Sequence, residues 1–393
     1  MSLNIVPLKD LCNNYKTDIV DGPFGANLKR EHYKEEGIPV LKIQNIKSFN
    51  ITLKKMDYVD QAKFDELRRH SYINGDIVMT KLGNPLGESA IVEGLDEGLI
   101  VADLVRIRTQ KIDTQYLCYH LNSPVTSAYI NSQQKGTTRP RVRIAVVRDL
   151  PIYTPSLAEQ QRIVAILDQA FADIEKARAN AEQNLKNARE LFDSYLQQVF
   201  SQRGEGWVET KLVSIAENLD SKRVPITKSE RTEGEYPYYG ASGIVDHVSD
   251  FLFDEELLLI SEDGANLLAR TYPIAFSASG KYWVNNHAHV LRFKNSKEQK
   301  FIEYYLNSIS LFPYVSGMAQ PKLNQKSLNN IPVPMANPTI INEVVEKLNL
   351  LRTEIEQLKV TYKAKIKSLD ELKKSLLQKA FTGELTKNKG MAA

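Results

Sequence analysis

Cysteine is scarce in this chain. Among 393 residues there are two, Cys12 and Cys118, too few and too far apart for a CxxC metal site or a disulfide framework, so a reducing compartment is expected. No apolar run approaches the roughly 20 residues needed to span a bilayer, and the opening MSLNIVPLKDL has neither the basic nor the apolar region of a signal peptide. The expectation is a cytoplasmic protein with no membrane partner, in which the sequon-like Asn50-Ile51-Thr52 carries no meaning. A charge excess is missing too. Lys+Arg 51 against Asp+Glu 48 leaves +3, which argues against a histone-like binder whose affinity rests on bulk positive charge. Hydrophobic residues at 42% and charged residues at 25% are globular values, and at about 150 residues per domain the length gives two to three domains.

Catalytic signatures are also lacking. There is no GxxxxGK[ST] phosphate loop, and Gly204-Glu205-Gly206 follows a helix end where a dinucleotide fold needs a strand. His287-Ala288-His289 sets two imidazoles on one face of a strand, but no Cys or carboxylate stands at ligand spacing, so no metal site is expected. Glu371-Leu372-Lys373 has the ExK spacing of many nucleases, yet it lies in a helical repeat with Leu372 expected to face inward. Glu262-Asp263 before Gly264 reads as a turn or cap. No catalytic residue is assigned.

What the chain does have is a long internal repeat. A shift of 181 places Gly136, Pro140 and Pro151 on Gly317, Pro321 and Pro332, then Leu167 on Leu348 and Glu175 on Glu356, without a gap. Farther on, Ser194 to Phe200 falls on Ser375 to Phe381 in the same register. A period this long is duplication of a whole unit, not a solenoid.

The similar segments read as long helices. Ile163, Leu167, Ile174, Phe192 and Val199 in the first, and Val344, Leu348, Ile355, Leu369 and Leu376 in the second, follow the alternating 4 and 3 spacing of a coiled-coil seam. Pro155 and Pro338 mark the starts, Gly204 and Gly383 the ends. Each helix would run some 65 Å at about 1.5 Å per residue. Two such stripes in one chain most simply pair with each other; the alternative is a core helix in each half.

The preceding segments read as α+β domains, with strands near 38–43, 76–80, 99–101, 255–260, 273–276 and 289–293 and helices over 114–121 and 299–306. They carry local basic residues. Thr138, Arg139, Arg141 and Arg143 follow Gly136, and in extended backbone the alternating arginines point to one side as a guanidinium comb suited to phosphates and guanine edges. The equivalent stretch after Gly317 keeps the Gly and Pro but offers Gln320, Lys322 and Lys326. Further candidate DNA contacts are Lys29, Arg30, Lys42, Gln44, Asn45 and Lys81 in the first half. In the second they are Tyr236, Tyr238, Tyr239, Ser242, Arg270, Lys281, Asn285, Asn286 and His287.

Two dissimilar domains, each followed by a similar helix, resemble the specificity subunit of type I restriction-modification enzymes. The phrases that carry the likeness are Glu159-Gln160-Gln161-Arg162-Ile163-Val164 and Gln378-Lys379-Ala380-Phe381-Thr382-Gly383-Glu384-Leu385 on the helices. With them go Asp21-Gly22-Pro23-Phe24-Gly25, Gly37-Ile38-Pro39-Val40-Leu41, Tyr236 to Gly243 and Asn285 to His289. The resemblance implies an α+β chain in which two target recognition domains are separated by an antiparallel coiled coil of two long helices, a pseudo-twofold repeat. The expected division is 1–154 and 204–336 for the recognition domains, 155–203 and 337–385 for the helical regions, and 386–393 for a tail.

It further implies a non-catalytic subunit that reads a bipartite, asymmetric target in double-stranded DNA. Two modification (methyltransferase) subunits would dock on it, and restriction (translocase-nuclease) subunits would join through the complex. The chain would bind no cofactor, whereas the complex would use S-adenosylmethionine, and ATP with Mg²⁺ for restriction. The second helix opens Asn337-Pro338-Thr339-Ile340-Ile341-Asn342-Glu343 where the first has Glu159 to Val164, so its contact with a modification subunit is the less defined. The rival readings are a coiled-coil scaffold without a nucleic-acid role and a self-sufficient DNA-modifying enzyme.

Overall fold

A computed structural model describes residues 4–136, 140–317 and 319–386. The chain divides into two compact units. The first holds residues up to Ala181 together with those from Ala364 onward; the second is Glu182–Lys363.

Each unit contains two four-stranded sheets of the same connectivity. In the first unit, Leu104–Ile107 lies between Ile19–Asp21 and Ile77–Thr80, with Ser89–Ile91 outside, all antiparallel. The companion sheet runs Asp57–Val59, Ile38–Leu41, Glu97–Ile100, Ser71–Ile73, with Ile38–Leu41 and Glu97–Ile100 parallel. The second unit repeats this plan. Ala288–Phe293 lies between Ala216–Asn218 and Leu257–Ser261, with Ala275–Ala278 outside. Its companion sheet runs Gly243–Val248, Tyr236–Gly240, Lys281–Val284, Phe253–Asp254, again with one parallel pair. Strands Ile77–Thr80 and Leu257–Ser261 are buried at every position, which is why they read as continuous apolar runs without polar alternation.

Helix Thr114–Leu121 spans the expected residues and is capped by Asp113, whose carboxylate accepts from the Tyr116 amide at 2.8 Å. Its counterpart Ser296–Ser308 is longer than expected because Asn295 caps it earlier, accepting from the Glu298 amide at 2.9 Å. The hairpin Tyr236–Gly240/Gly243–Val248 went unread as strand: its aromatic and glycine content suggests turns, and its outer strand is largely exposed.

The long helices are Leu157–Ser201 and Pro338–Phe381, and they pack together. In the first unit Glu175 pairs with Lys373 at 3.1 Å and Arg178 with Asp370 at 2.5 Å. As one index rises by three the other falls by three, so the helices run antiparallel there. Ile163, Leu167, Ile174, Leu369 and Leu376 join the core that also holds Leu8, Tyr116 and Phe381. In the second unit Phe192, Val199, Val344 and Leu348 pack with Phe301 and Tyr305, and Ile355 is buried. The seam therefore doubles as domain core at these positions. Leu372 does not face inward; it is 46% exposed. The facing place is taken by Lys373, whose ammonium lies 4.6 Å from the Phe171 ring centre while pairing with Glu175. Among the described residues no helix is long and apolar enough to cross a membrane.

Candidate nucleic-acid interface

In the first unit the antiparallel register brings the C-terminal ends of Ile19–Asp21 and Ile77–Thr80 to the start of Leu104–Ile107. Lys81, just past its strand, ties this edge together. Its amide donates to the Asp103 carbonyl at 2.9 Å, its carbonyl accepts from the Val142 amide at 3.0 Å, and its ammonium bonds Asp21 at 2.7 Å. Gly83 donates to the Pro140 carbonyl at 3.0 Å, and Lys135 and Arg141 exchange backbone hydrogen bonds. The comb segment is thus fastened to the sheet edge by its backbone. Arg141 and Arg143 are exposed on either side of buried Val142; the comb's Thr138 and Arg139 lie outside the described residues.

The second unit builds the same frame at the same 181-residue offset. Lys322 bridges Asp263 and Ser316, just as Arg141 bridges Leu82 and Lys135. Gly264 donates to the Pro321 carbonyl at 3.0 Å and Leu323 to the Glu262 carbonyl at 2.7 Å. Gly136 and Gly317 share a left-handed φ of 89° and 78°, a conformation open to glycine at little cost. The duplication therefore reaches back to positions 81 and 262, where no side chain is shared to reveal it.

Under this common frame the charges differ. Where the first unit has Asp21 and Lys81, the second has Asp220, Arg223, Glu262 and His289. Arg223 donates to Glu262 at 2.7 Å and to the Ala288 carbonyl at 2.8 Å. Lys322 reaches Glu262 at 3.2 Å. His289 Nδ1 lies 2.6 Å from Asp220 and Nε2 lies 2.7 Å from the Leu323 carbonyl. Burial pushes the Asp220 and Glu262 carboxyls up, but the cationic partners outweigh it and hold both below the usual carboxylate range. Asp220, Glu262 and His289 bring their ligand atoms within 4.8 Å of one another. Arg223 already neutralises Glu262 and the Leu323 carbonyl already engages His289, so the group is an ion-pair network and no metal is placed in it. His287 precedes its strand, is exposed, and bonds Asp263 at 2.9 Å; the two histidines do not share a face.

The expected contact residues divide sharply. Lys42 and Gln44 line an open groove of about 510 Å³ with Pro23, Gly25, Tyr33 and Asp103, and so join Lys81 and Arg141 at the first edge. Lys29 and Arg30 are exposed at the start of the short helical turn Arg30–His32. Lys42 is itself paired with Asp57 and lies 3.9 Å from the Tyr33 ring centre. At the second edge stand His287, exposed Gln320 and Lys322, together with the exposed hairpin tip Ser242, whose neighbour Ala241 accepts from Ser261. Exposed Lys326 follows on the short helix Gln325–Asn329.

Other expected readers lie in the core, in turns or away from this edge. Asn45 is fully buried: it accepts from the Lys42 amide and donates to the Thr52 and Lys54 carbonyls, holding a turn. Tyr238 is 1% exposed, under Arg231, and Tyr239 is packed on Phe276 and Tyr282; both serve the core. Asn285 is buried and accepts from the His287 amide at 2.8 Å, while its neighbour Asn286 stays exposed. Arg270 closes helix Asn266–Ala269 with φ 55° and donates to the Asn307 carbonyl at 2.8 Å. Tyr236 and Lys281 sit at the opposite strand ends from Gly240 and Val284, away from the edge. Asp220 and Arg223 were missed because nothing in their local sequence marks them; their meaning comes from strand pairing. Phe24, 82% exposed beside the groove, was legible only as part of a turn.

A description of the type I restriction modification DNA specificity domain matches residues 4–183 and 204–367. The chain belongs to this family. The Haemophilus influenzae protein S.HindORF215P, assigned as a type I restriction enzyme specificity subunit, is 35% identical over 140 residues, a match spanning 36% of each chain. The MjaX specificity subunit assigned in Methanocaldococcus jannaschii is 22% identical over 399 residues, covering 94% of this chain and 92% of that one. In fold, the chain is similar to one from a type I R-M system studied for its complex assembly and conformational transition, with TM-score 0.75, 19% identity and coverage of 98% and 100%. It is also similar to the HsdS subunit from Thermoanaerobacter tengcongensis, with TM-score 0.60, 20% identity and 97% of each chain covered. Each family match covers one unit's pair of sheets together with the first part of the long helix that follows it.

Proposed function

We propose that this chain is the DNA-reading subunit of a type I restriction-modification complex, each unit reading one half of a bipartite, asymmetric target. The observation that carries it is the pair of matched loop edges, identical in backbone frame and different in side chains: Arg141 and Arg143 on one, Gln320 and Lys322 on the other. Arginine forks suit guanine O6/N7, glutamine suits adenine N6/N7, and lysine suits phosphate or guanine. A shared frame with exchanged readers gives two different half-sites.

The helical regions 155–203 and 337–385 set the spacing of recognition domains 1–154 and 204–336 and dock two modification subunits, through which restriction subunits join. The chain itself supplies no catalytic group and binds no cofactor; S-adenosylmethionine, and ATP with Mg²⁺, serve the partners in the cytoplasm. At net +3 the subunit releases few counterions by itself, so tight binding needs the assembled complex. The test is methylation of host DNA by the chain co-expressed with its modification subunit. The reading requires split-site adenine methylation that needs both proteins. Methyl transfer or cleavage by the purified chain alone with Mg²⁺ and S-adenosylmethionine, or assembly with partners but indifference to DNA, would overturn it.

A further inference from the structure

His289 is 1% exposed, and both of its ring nitrogens face oxygen acceptors. Asp220 Oδ2 stands 2.6 Å from Nδ1 and the Leu323 carbonyl 2.7 Å from Nε2. Neither an ionised carboxylate nor a carbonyl has a hydrogen to give, so both bonds are made only when both ring nitrogens donate. The groups around it suit the imidazolium, in which both do. Asp220 precedes it across the sheet, and Glu262, just past Leu257–Ser261, has an oxygen 3.7 Å from Nδ1. Arg223 and Lys322 balance Glu262, while Asp263 and His287 form a separate pair farther out.

We propose that His289 is a proton-dependent positioning residue: as an imidazolium it clamps the loop carrying Gln320 and Lys322 to the sheet edge through the Leu323 carbonyl. A neutral ring has one N–H and keeps only one of the two bonds, with the carboxylate the stronger claimant. Among the described residues the first unit has no such clamp. Met79 and Ile260 are equivalent at the 181 offset, and their strand partners are Val105 and His289. An apolar side chain thus stands where the second unit carries the ring, and the edge is held by the Asp21–Lys81 pair. Protonation of one histidine therefore adjusts one loop and leaves the other alone. That this adjusts half-site reading rests on the function proposed above.

Amide hydrogen exchange in the full-length chain tests the clamp without DNA. The Lys322 and Leu323 amides, bonded to Ser316 and Glu262, are compared with Arg141 and Val142, bonded to Lys135 and Lys81. Between a pH at which the imidazolium persists and one at which the ring is neutral, protection at Lys322 and Leu323 should fall about tenfold beyond the intrinsic rate change, with Arg141 and Val142 steady. H289Q, which keeps one donor, should hold low protection at both pH values while strand Leu257–Ser261 stays protected; H289F should do the same. Equal behaviour of the two loops, or unchanged pH dependence in H289Q, would overturn the clamp. If the loop loosens as expected while methylation of the second half-site keeps its discrimination at both pH values, the clamp stands and the loop's role in reading falls.

Discussion

The two units solve one architectural problem with different chemistry. Both fasten a loop to the same edge of the same sheet, through backbone bonds at positions 81–83 to 140–142 and 262–264 to 321–323. The backbone frame is fixed by β pairing and by glycines at 136 and 317. What varies is the layer beneath, an aspartate–lysine pair in one and a histidine-centred network in the other, and the residues displayed above. Backbone hydrogen bonds do not depend on side-chain identity, so such a frame can persist while its surface chemistry is exchanged.

Their buried histidines sharpen the contrast. His120 in the first unit donates from Nδ1 to the Thr126 hydroxyl at 3.0 Å, that hydroxyl being committed to the His120 carbonyl at 2.7 Å, and Nε2 accepts from the Tyr153 amide at 3.1 Å. This ring is neutral, and burial pushes its pKa from 6.5 down to about 4. The unfolded chain therefore binds a proton that the folded one refuses. The first unit should lose up to about 3 kcal/mol as pH falls from about 6.5 to about 4, at about 1.4 kcal/mol per unit. Exchange in Leu104–Ile107 against Leu257–Ser261 during acid titration reads this; equal weakening of both strands would erase the contrast.

Smaller effects separate readers from frame. Arg141→Ala should cost about 1–3 kcal/mol of discrimination at one half-site and none at the other, measured as relative methylation of single-base variants of each half; a loss spread over both halves would mean the edge is not a local reader. Gly317→Ala places a Cβ 2.8 Å from the Gln320 carbonyl at φ 78°. It should cost about 1–2 kcal/mol and blur only the second half-site. Smallest of all, Lys281→Ala, at the far strand end beside Phe251, should change binding by less than about 0.5 kcal/mol.

The repeat, the long helices and most buried strands were legible because periodicity and β-branched runs report burial directly. The segment fastened to the sheet edge at Pro140 to Val142 was legible where glycine, proline and alternation coincide. Asn45, Tyr238 and Asn285 misled because a polar or aromatic residue in a turn-rich stretch looks the same whether it braces a turn or faces solvent. The network of Asp220, Arg223, Glu262 and His289 was invisible because strand pairing joins residues up to 69 positions apart.

Mapping methylated adenines across host DNA by single-molecule sequencing, for the wild-type chain and for the R141A/R143A variant, each with its modification partner, tests the two edges most directly. Two independent readers predict a split target whose first half relaxes in the variant while the second half and the gap are unchanged. Change in both halves, or in neither, would contradict two independent readers on one duplicated frame.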